Sequence, residues 1–186
     1  MILAAGALSA LLSGCLSATV PEVSYWNVDY KSGATSKRAA KHGIVRLSAL
    51  HVRSPYDVRE IPVLKADGAM AFDPYNKFPS IPSQLLKGAA FDAVADSGLF
   101  GSTVAAGSSV LSEVSMEVTV LKLALDCRNE GVRKAVVNVS VVLLNRDRQI
   151  VSIVSGSGES DAAAVDYSTA FSCAFSSAMA AALSAM

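Results

Sequence analysis

Catalysis and metal binding need thiols, imidazoles, carboxylates or hydroxyls within bonding reach of one another, and this chain offers few. It has three cysteines and two histidines in 186 residues. His42 and His51 belong to no His-Glu-x-x-His pattern and have no second ligand at usable spacing, so no metal centre is expected. The absence of any Cys-x-x-Cys removes a zinc ribbon and a thioredoxin motif. No Gly-x-Ser-x-Gly elbow exposes a nucleophilic serine. Gly156-Ser157-Gly158 is glycine-rich, but it lacks a third glycine, a Walker lysine and a helix directly after it. It reads as a solvated strand end. Glu113 and Glu117 share one face of a strand, as acid/base work would require, but surface positions of an alternating strand account for them. The expectation is a non-enzyme with no catalytic residues, no metal and no cofactor.

Cys15 is the residue with a directed chemistry. Residues 1–20 contain no Asp, Glu, Lys or Arg. Within them, residues 2–12 form an apolar run shorter than the ~20 residues of a membrane-spanning helix and matching a signal-peptide core. The run ends in Leu12-Ser13-Gly14-Cys15, which resembles the bacterial lipobox. There, small residues admit a peptidase at the membrane surface, and the thiol takes a diacylglycerol. The expected organisation is a signal peptide over residues 1–14, an acylated N-terminus and tether over 15–42, and a single domain over 43–186. Export would leave Cys127 and Cys173 where a disulfide is permitted. Two separate core thiols fit the sequence equally well.

Composition narrows the class. Sixteen basic and sixteen acidic residues leave no net charge, and 52% of the chain is hydrophobic against 17% charged. With a pI near 6.7 and a mean hydropathy of +0.41, a nucleic-acid partner is excluded, because phosphate binding needs a basic excess. Disorder is excluded by the apolar content. Part of that content is the signal peptide; another part is residues 166–186, uncharged after Asp166.

The elements that must position any site follow from periodicity. Basic and small residues over 16–42 read as a solvated tether, interrupted by a short strand around residues 23–28 that pins it to the domain. A first strand spans 43–52. Residues 56–73 read as an edge hairpin closed at Asp67-Gly68, with Pro62 arguing for the edge. Pro74 and Pro79 bracket a loop holding Tyr75 and Phe78. A helix follows, capped by Ser80, with Ile81, Leu85, Ala89, Ala93 and Val94 inward and Gly98 at its end. The run 99–105 returns to the sheet, making one crossover unit with the hairpin inserted in it. Over 114–126 the apolar phase slips between Val120 and Leu121, which predicts a β-bulge there. Two more strands, 135–144 and 150–154, complete an antiparallel meander. The last segment predicts a C-terminal helix whose apolar face runs through Phe171, Phe175, Ala178 and Leu183, and whose serines are free for a partner. The predicted class is α/β (α+β): a mixed sheet with a C-terminal meander, one crossover helix and one C-terminal helix.

The lipobox, Tyr25-Trp26-Asn27-Val28-Asp29, Tyr56-Asp57-Val58-Arg59-Glu60-Ile61, Phe72-Asp73-Pro74-Tyr75-Asn76-Lys77-Phe78-Pro79 and Ser97-Gly98-Leu99-Phe100, in that order, resemble the ABC-type transport auxiliary lipoproteins, the paraquat-inducible protein C-like family. Phe78 stands where that family usually has tryptophan. The resemblance implies a periplasm-facing lipoprotein of the bacterial cell envelope, serving a mammalian-cell-entry class ABC system that moves lipid between membranes. It implies as partners the membrane, through acyl chains on Cys15, and a tunnel protein or ABC permease. Leu16 after the cysteine points to the outer membrane under the sorting rule of enteric bacteria. Tyr56, Arg59, Phe72, Tyr75 and Phe78 are the expected partner surface, since aromatics and arginine dominate interface hot spots. A staple closing the hairpin onto the domain fits the same residues. The rival readings are a lipoprotein that carries lipid in its own cavity, an outer-membrane assembly or structural lipoprotein, and a periplasmic hydrolase.

Overall fold

The computed structural model describes residues 21–33 and 42–186. Cys15 and the expected signal peptide lie outside the described residues. The elements run β1 (Ser24–Tyr25), β2 (His42–Val52), β3 (Glu60–Lys65), β4 (Met70–Lys77), α1 (Pro82–Asp96), β5 (Phe100–Ala105), β6 (Val114–Cys127), β7 (Lys134–Leu144), β8 (Ile150–Asp161) and α2 (Tyr167–Ser184).

Eight strands form one mixed sheet around β6. Antiparallel β7 covers one edge of β6 along nearly its whole length, and β8 follows it as the expected meander. The other edge forks. Parallel β2 pairs with residues 114–120, and parallel β3 pairs with Leu125 to Cys127. β5 lies parallel to β2, so the chain from β2 through the inserted hairpin and α1 to β5 is the expected crossover. Both helices pack on one face in a single core that contains Val45, Met116, Val118, Val139, Leu86, Phe171 and Phe175.

The bulge lies where the phase slips. Val120 pairs with Val139 and Lys122 with Asn138, leaving Leu121 as the extra residue. Val120, Leu123 and Leu125 therefore all reach the core. The hairpin β3–β4 turns at Gly68, whose φ of 82° suits glycine. Pro62 is not on an outer strand, because β3 has neighbours on both sides. Pairing with β6 begins only at Val63, one residue after the proline, so the missing N–H breaks no ladder bond on that side.

Three expectations are corrected. Residues 74–77 are strand, not loop, and carry β4 to Lys77. Ser80 does not cap α1: Ile81 occupies the cap without a side-chain bond, and Asp57 Oδ1 accepts from Ser83 N at 2.8 Å from outside the helix. The buried face of α1 runs through Leu86, Ala89, Ala90, Ala93 and Val94, so Ile81 and Leu85 do not lead it.

Gly156-Ser157-Gly158 is also not a solvated strand end. It lies within β8 directly beneath α2. A Cβ on Gly158 would overlap Ala174 O and come within 2.7 Å of Ala178 N; one on Gly156 would overlap Ala178 O. The two glycines, with alanines on the facing helix, let α2 approach the sheet at backbone distance. Among the described residues, no helix is long and apolar enough to cross a membrane.

Candidate docking surface

The candidate surface begins with an irregularity in the hairpin. Glu60 pairs with Lys77, but the next residue, Ile61, pairs with Asp73, leaving Pro74, Tyr75 and Asn76 as extra residues on β4. Proline cannot donate to a ladder, and the Asp73 carboxylate takes over by local capping. Its Oδ1 accepts from Tyr75 N at 2.9 Å and Asn76 N at 3.1 Å, and Oδ2 accepts from Asn76 Nδ2 at 2.9 Å. The bulge turns Tyr75 outward to 45% exposure.

The leader segment then adds a strand. β1 pairs parallel to the end of β4, Ser24 with Asn76 and Tyr25 with Lys77. Trp26 N donates to Lys77 O at 2.8 Å, and Trp26 Nε1 donates to Asn76 Oδ1 at 2.8 Å. The indole meets Tyr167 of α2 edge-on, with centroids 5.6 Å apart. Val28 is buried, and beyond it Asp29 N donates to Ser172 Oγ at 2.9 Å and Lys31 N to Ser176 Oγ at 2.8 Å. The short strand expected near residues 23–28 is therefore present as β1. The serines of α2 take up this chain's own leader.

Tyr25, 56% exposed, lies beneath the Arg59 guanidinium, 5.3 Å from the ring centroid, a cation–π contact. Arg59 Nε also donates to Phe78 O at 3.3 Å, so its side chain is held from both ends. Below it Lys77 Nζ bonds Glu60 Oε1 at 2.8 Å, and this hydrogen bond holds the Glu60 carboxyl below the ordinary carboxylate range.

Of the expected partner residues, the structure brings Arg59 and Tyr75 to this edge beside Tyr25. Phe72, 43% exposed, lies further along β4 at a shallow hollow shared with Val52, Pro55 and Val58. Tyr56 is half-buried against the core. Phe78 is a correction: it is fully buried and packs edge-on to Phe171 with centroids 5.4 Å apart, so it offers no surface. Tyr25 was not among the expected contacts, and its place in the segment Tyr25-Trp26-Asn27-Val28-Asp29 was its only signal. Cys127 and Cys173 are free thiols, so no disulfide joins them. Among the described residues, no cluster of three or more His, Cys, Asp or Glu could hold a metal ion.

No family model matches the chain, and no curated protein matches it. Solved structures do. The crystal structure of protein XCC0632 from Xanthomonas campestris, of family model DUF330, is similar over 89% of both chains, with 15% identity and a TM-score of 0.59. The crystal structure of an uncharacterized protein is similar over 76% of this chain and 84% of its own, with 15% identity and a TM-score of 0.52. At that identity the likeness shows a shared fold.

Proposed function

We propose that this chain is a lipid-anchored protein of the bacterial envelope that serves as an auxiliary component of an ABC-type, mammalian-cell-entry class lipid transport system. One observation carries the reading. Three segments of the family resemblance lie along one sheet edge, where Tyr25 of the leader meets the β3–β4 hairpin that carries Arg59 before β3 and Tyr75 in the β4 bulge. Tyr25 and Tyr75 are both exposed, and aromatic side chains are frequent interface anchors.

Acyl chains on Cys15 hold the domain at a leaflet, in the outer membrane by the residue after the cysteine. A single chain binds weakly, but the two or three of a bacterial lipoprotein anchor firmly. The leader joins the fold at Ser24. At ~3.3–3.6 Å per extended residue, the docking edge then works within about 30 Å of the anchor. The exposed aromatic edge meets a tunnel protein or permease within that reach, and the domain performs no chemistry of its own.

The test has two parts. Radiolabelled fatty acid should enter the wild-type protein and not the Cys15→Ser variant. Co-purification of a transport component from detergent extracts should fall at least tenfold with Arg59→Glu or Tyr75→Ala. Absence of label, or retention of the component by both variants, contradicts the reading.

A further inference from the structure

β5 pairs with β2 from His42↔Phe100 to Leu47↔Ala105 and ends there, while β2 continues to Val52. Over residues 48–52, β6 occupies one side of β2. Arg53 N donates to Val120 O at 2.9 Å. Strand alternation therefore turns the N–H and C=O of Leu50 and Val52 the other way, where no strand lies among the described residues. Facing this bare edge is α1, with Lys87, Gly88, Phe91 and Asp92; Ala105 to Gly107 close one end. The space between is a groove of about 600 Å³.

We propose that this groove binds an extended segment of a partner polypeptide, which adds to β2 as a strand where β5 leaves off. The site goes beyond the docking edge described above: β1 and β5 lie at opposite ends of the strand path. Leu47, Leu50 and Phe91 supply apolar lining, and the bare edge supplies donors and acceptors at strand spacing. An acyl chain would fill the apolar part but leave the amides of Leu50 and Val52 dry and unpaired, which costs free energy that a peptide backbone recovers. About four extended residues, ~14 Å at ~3.4 Å each, match the bare stretch.

Charge sets the partner's chemistry. The start of α1 is tied to Asp57, beyond the end of β2, and the chain after α1 rejoins the sheet at Phe100 opposite His42. Helix and strand therefore run in opposite directions, with Lys87 toward Val52 and Asp92 toward Ser48. Neither side chain forms an ion pair among the described residues. The fitting segment has an acidic group at the Lys87 end, a basic group at the Asp92 end and an apolar side chain between them over Gly88 and Phe91.

A phage-displayed library of random heptapeptides, selected on the full-length protein, tests this, followed by a fluorescein-labelled synthetic copy of the enriched sequence. Gly88 lines the groove and a Cβ there meets nothing within 4 Å, so Gly88→Leu starts from open space and adds bulk at the groove; an unchanged melting temperature checks that the variant folds. The expected results are enrichment of apolar peptides with an acidic residue, at least tenfold slower exchange of the Leu50 and Val52 amides in the complex, and at least tenfold weaker binding to Gly88→Leu. Lys87→Glu should weaken acidic peptides several-fold. The proposal is overturned if no peptide is enriched above a bead-only control, or if binding leaves those amides unprotected or ignores Gly88→Leu. Binding of cis-parinaric acid that Gly88→Leu abolishes, with no peptide enriched, would make the groove an acyl-chain site. Amides already protected in a dimer that Gly88→Leu dissociates would make the occupant a second copy; both results overturn the proposal.

Discussion

Asp29 N and Ser172 Oγ, 143 residues apart in sequence, are joined by a 2.9 Å hydrogen bond that lays the leader across α2. Ser176 repeats the arrangement one helical turn on, accepting from Lys31 N. Two hydroxyls on an uncharged helix thus hold backbone that has no strand to pair with. Each bond is worth about 1 kcal/mol. Ser172→Ala with Ser176→Ala should leave the sheet intact while releasing the leader. Amide exchange at Asp29 and Lys31 should then accelerate at least tenfold, with little change at β7; an unchanged rate at both would show that β1 and Val28 suffice.

Two glycines should respond in opposite directions to the same substitution. Gly158→Ala drives a methyl into the backbone of α2, and overpacking of this kind costs about 3 kcal/mol where neither side can move. Gly88→Ala enters open space on α1 and gains about 1 kcal/mol of helix propensity. At ~2–4 °C per kcal/mol for a domain of this size, thermal unfolding should separate the variants clearly. Equal melting temperatures would refute the close packing of α2 on β8.

Arg46 is the clamp on the return from β5 to β6. Its guanidinium donates to Ala105 O at 3.3 Å, Ala106 O at 3.2 Å and Ser108 O at 2.7 Å, and also to Val110 O. Four carbonyls accept from one side chain, only Ala105 O having a second donor in Ser108 N at 3.0 Å, and Leu111 beyond them is 85% exposed. Arg46→Met keeps the stem and removes the donors. Limited proteolysis should then cut within residues 105–113 several times faster than in wild type. Unchanged resistance would mean that the loop holds itself.

The acid limb of stability should report Asp126. The Arg128 guanidinium, bonded to it at 2.9 Å, lowers its pKa from 3.8 to about 2. A depressed folded-state pKa gives stability that is full above the unfolded value and lost as pH falls from about 4 to about 2. Arg128 is largely exposed, and solvent screening reduces the contribution to about 1 kcal/mol. Urea unfolding should show this loss in wild type and a correspondingly flatter slope in Asp126→Asn.

Much of the fold was legible because its signals are local. The slip at Val120 located the bulge, Asp67-Gly68 located the hairpin turn, and alternation along residues 114–154 gave the meander. The failures share a cause: a group from elsewhere in the chain did what the local sequence did not. Pro74 argued for a loop, but Asp73 and the incoming β1 kept residues 74–77 in the sheet. Ser80 was the nearest cap, but Asp57 reached in from 26 residues away. The spacing of Gly156 and Gly158 carried no sign of the helix that would lie over them. At the candidate surface, Arg59 and Tyr75 were readable as exposed, but Phe78 was not readable as buried. An aromatic beside proline looks the same whether it turns inward or outward, and here Phe171 decided the matter.

The most direct test of the central claim is a photo-crosslinking residue at position 75 in living cells, with position 157 on the outer face of β8 as control. Irradiation should join position 75, and not position 157, to a tunnel protein or permease of a lipid transport system identified by mass spectrometry. Efficient incorporation with no transport component captured at position 75, or equal capture at both positions, would contradict the account.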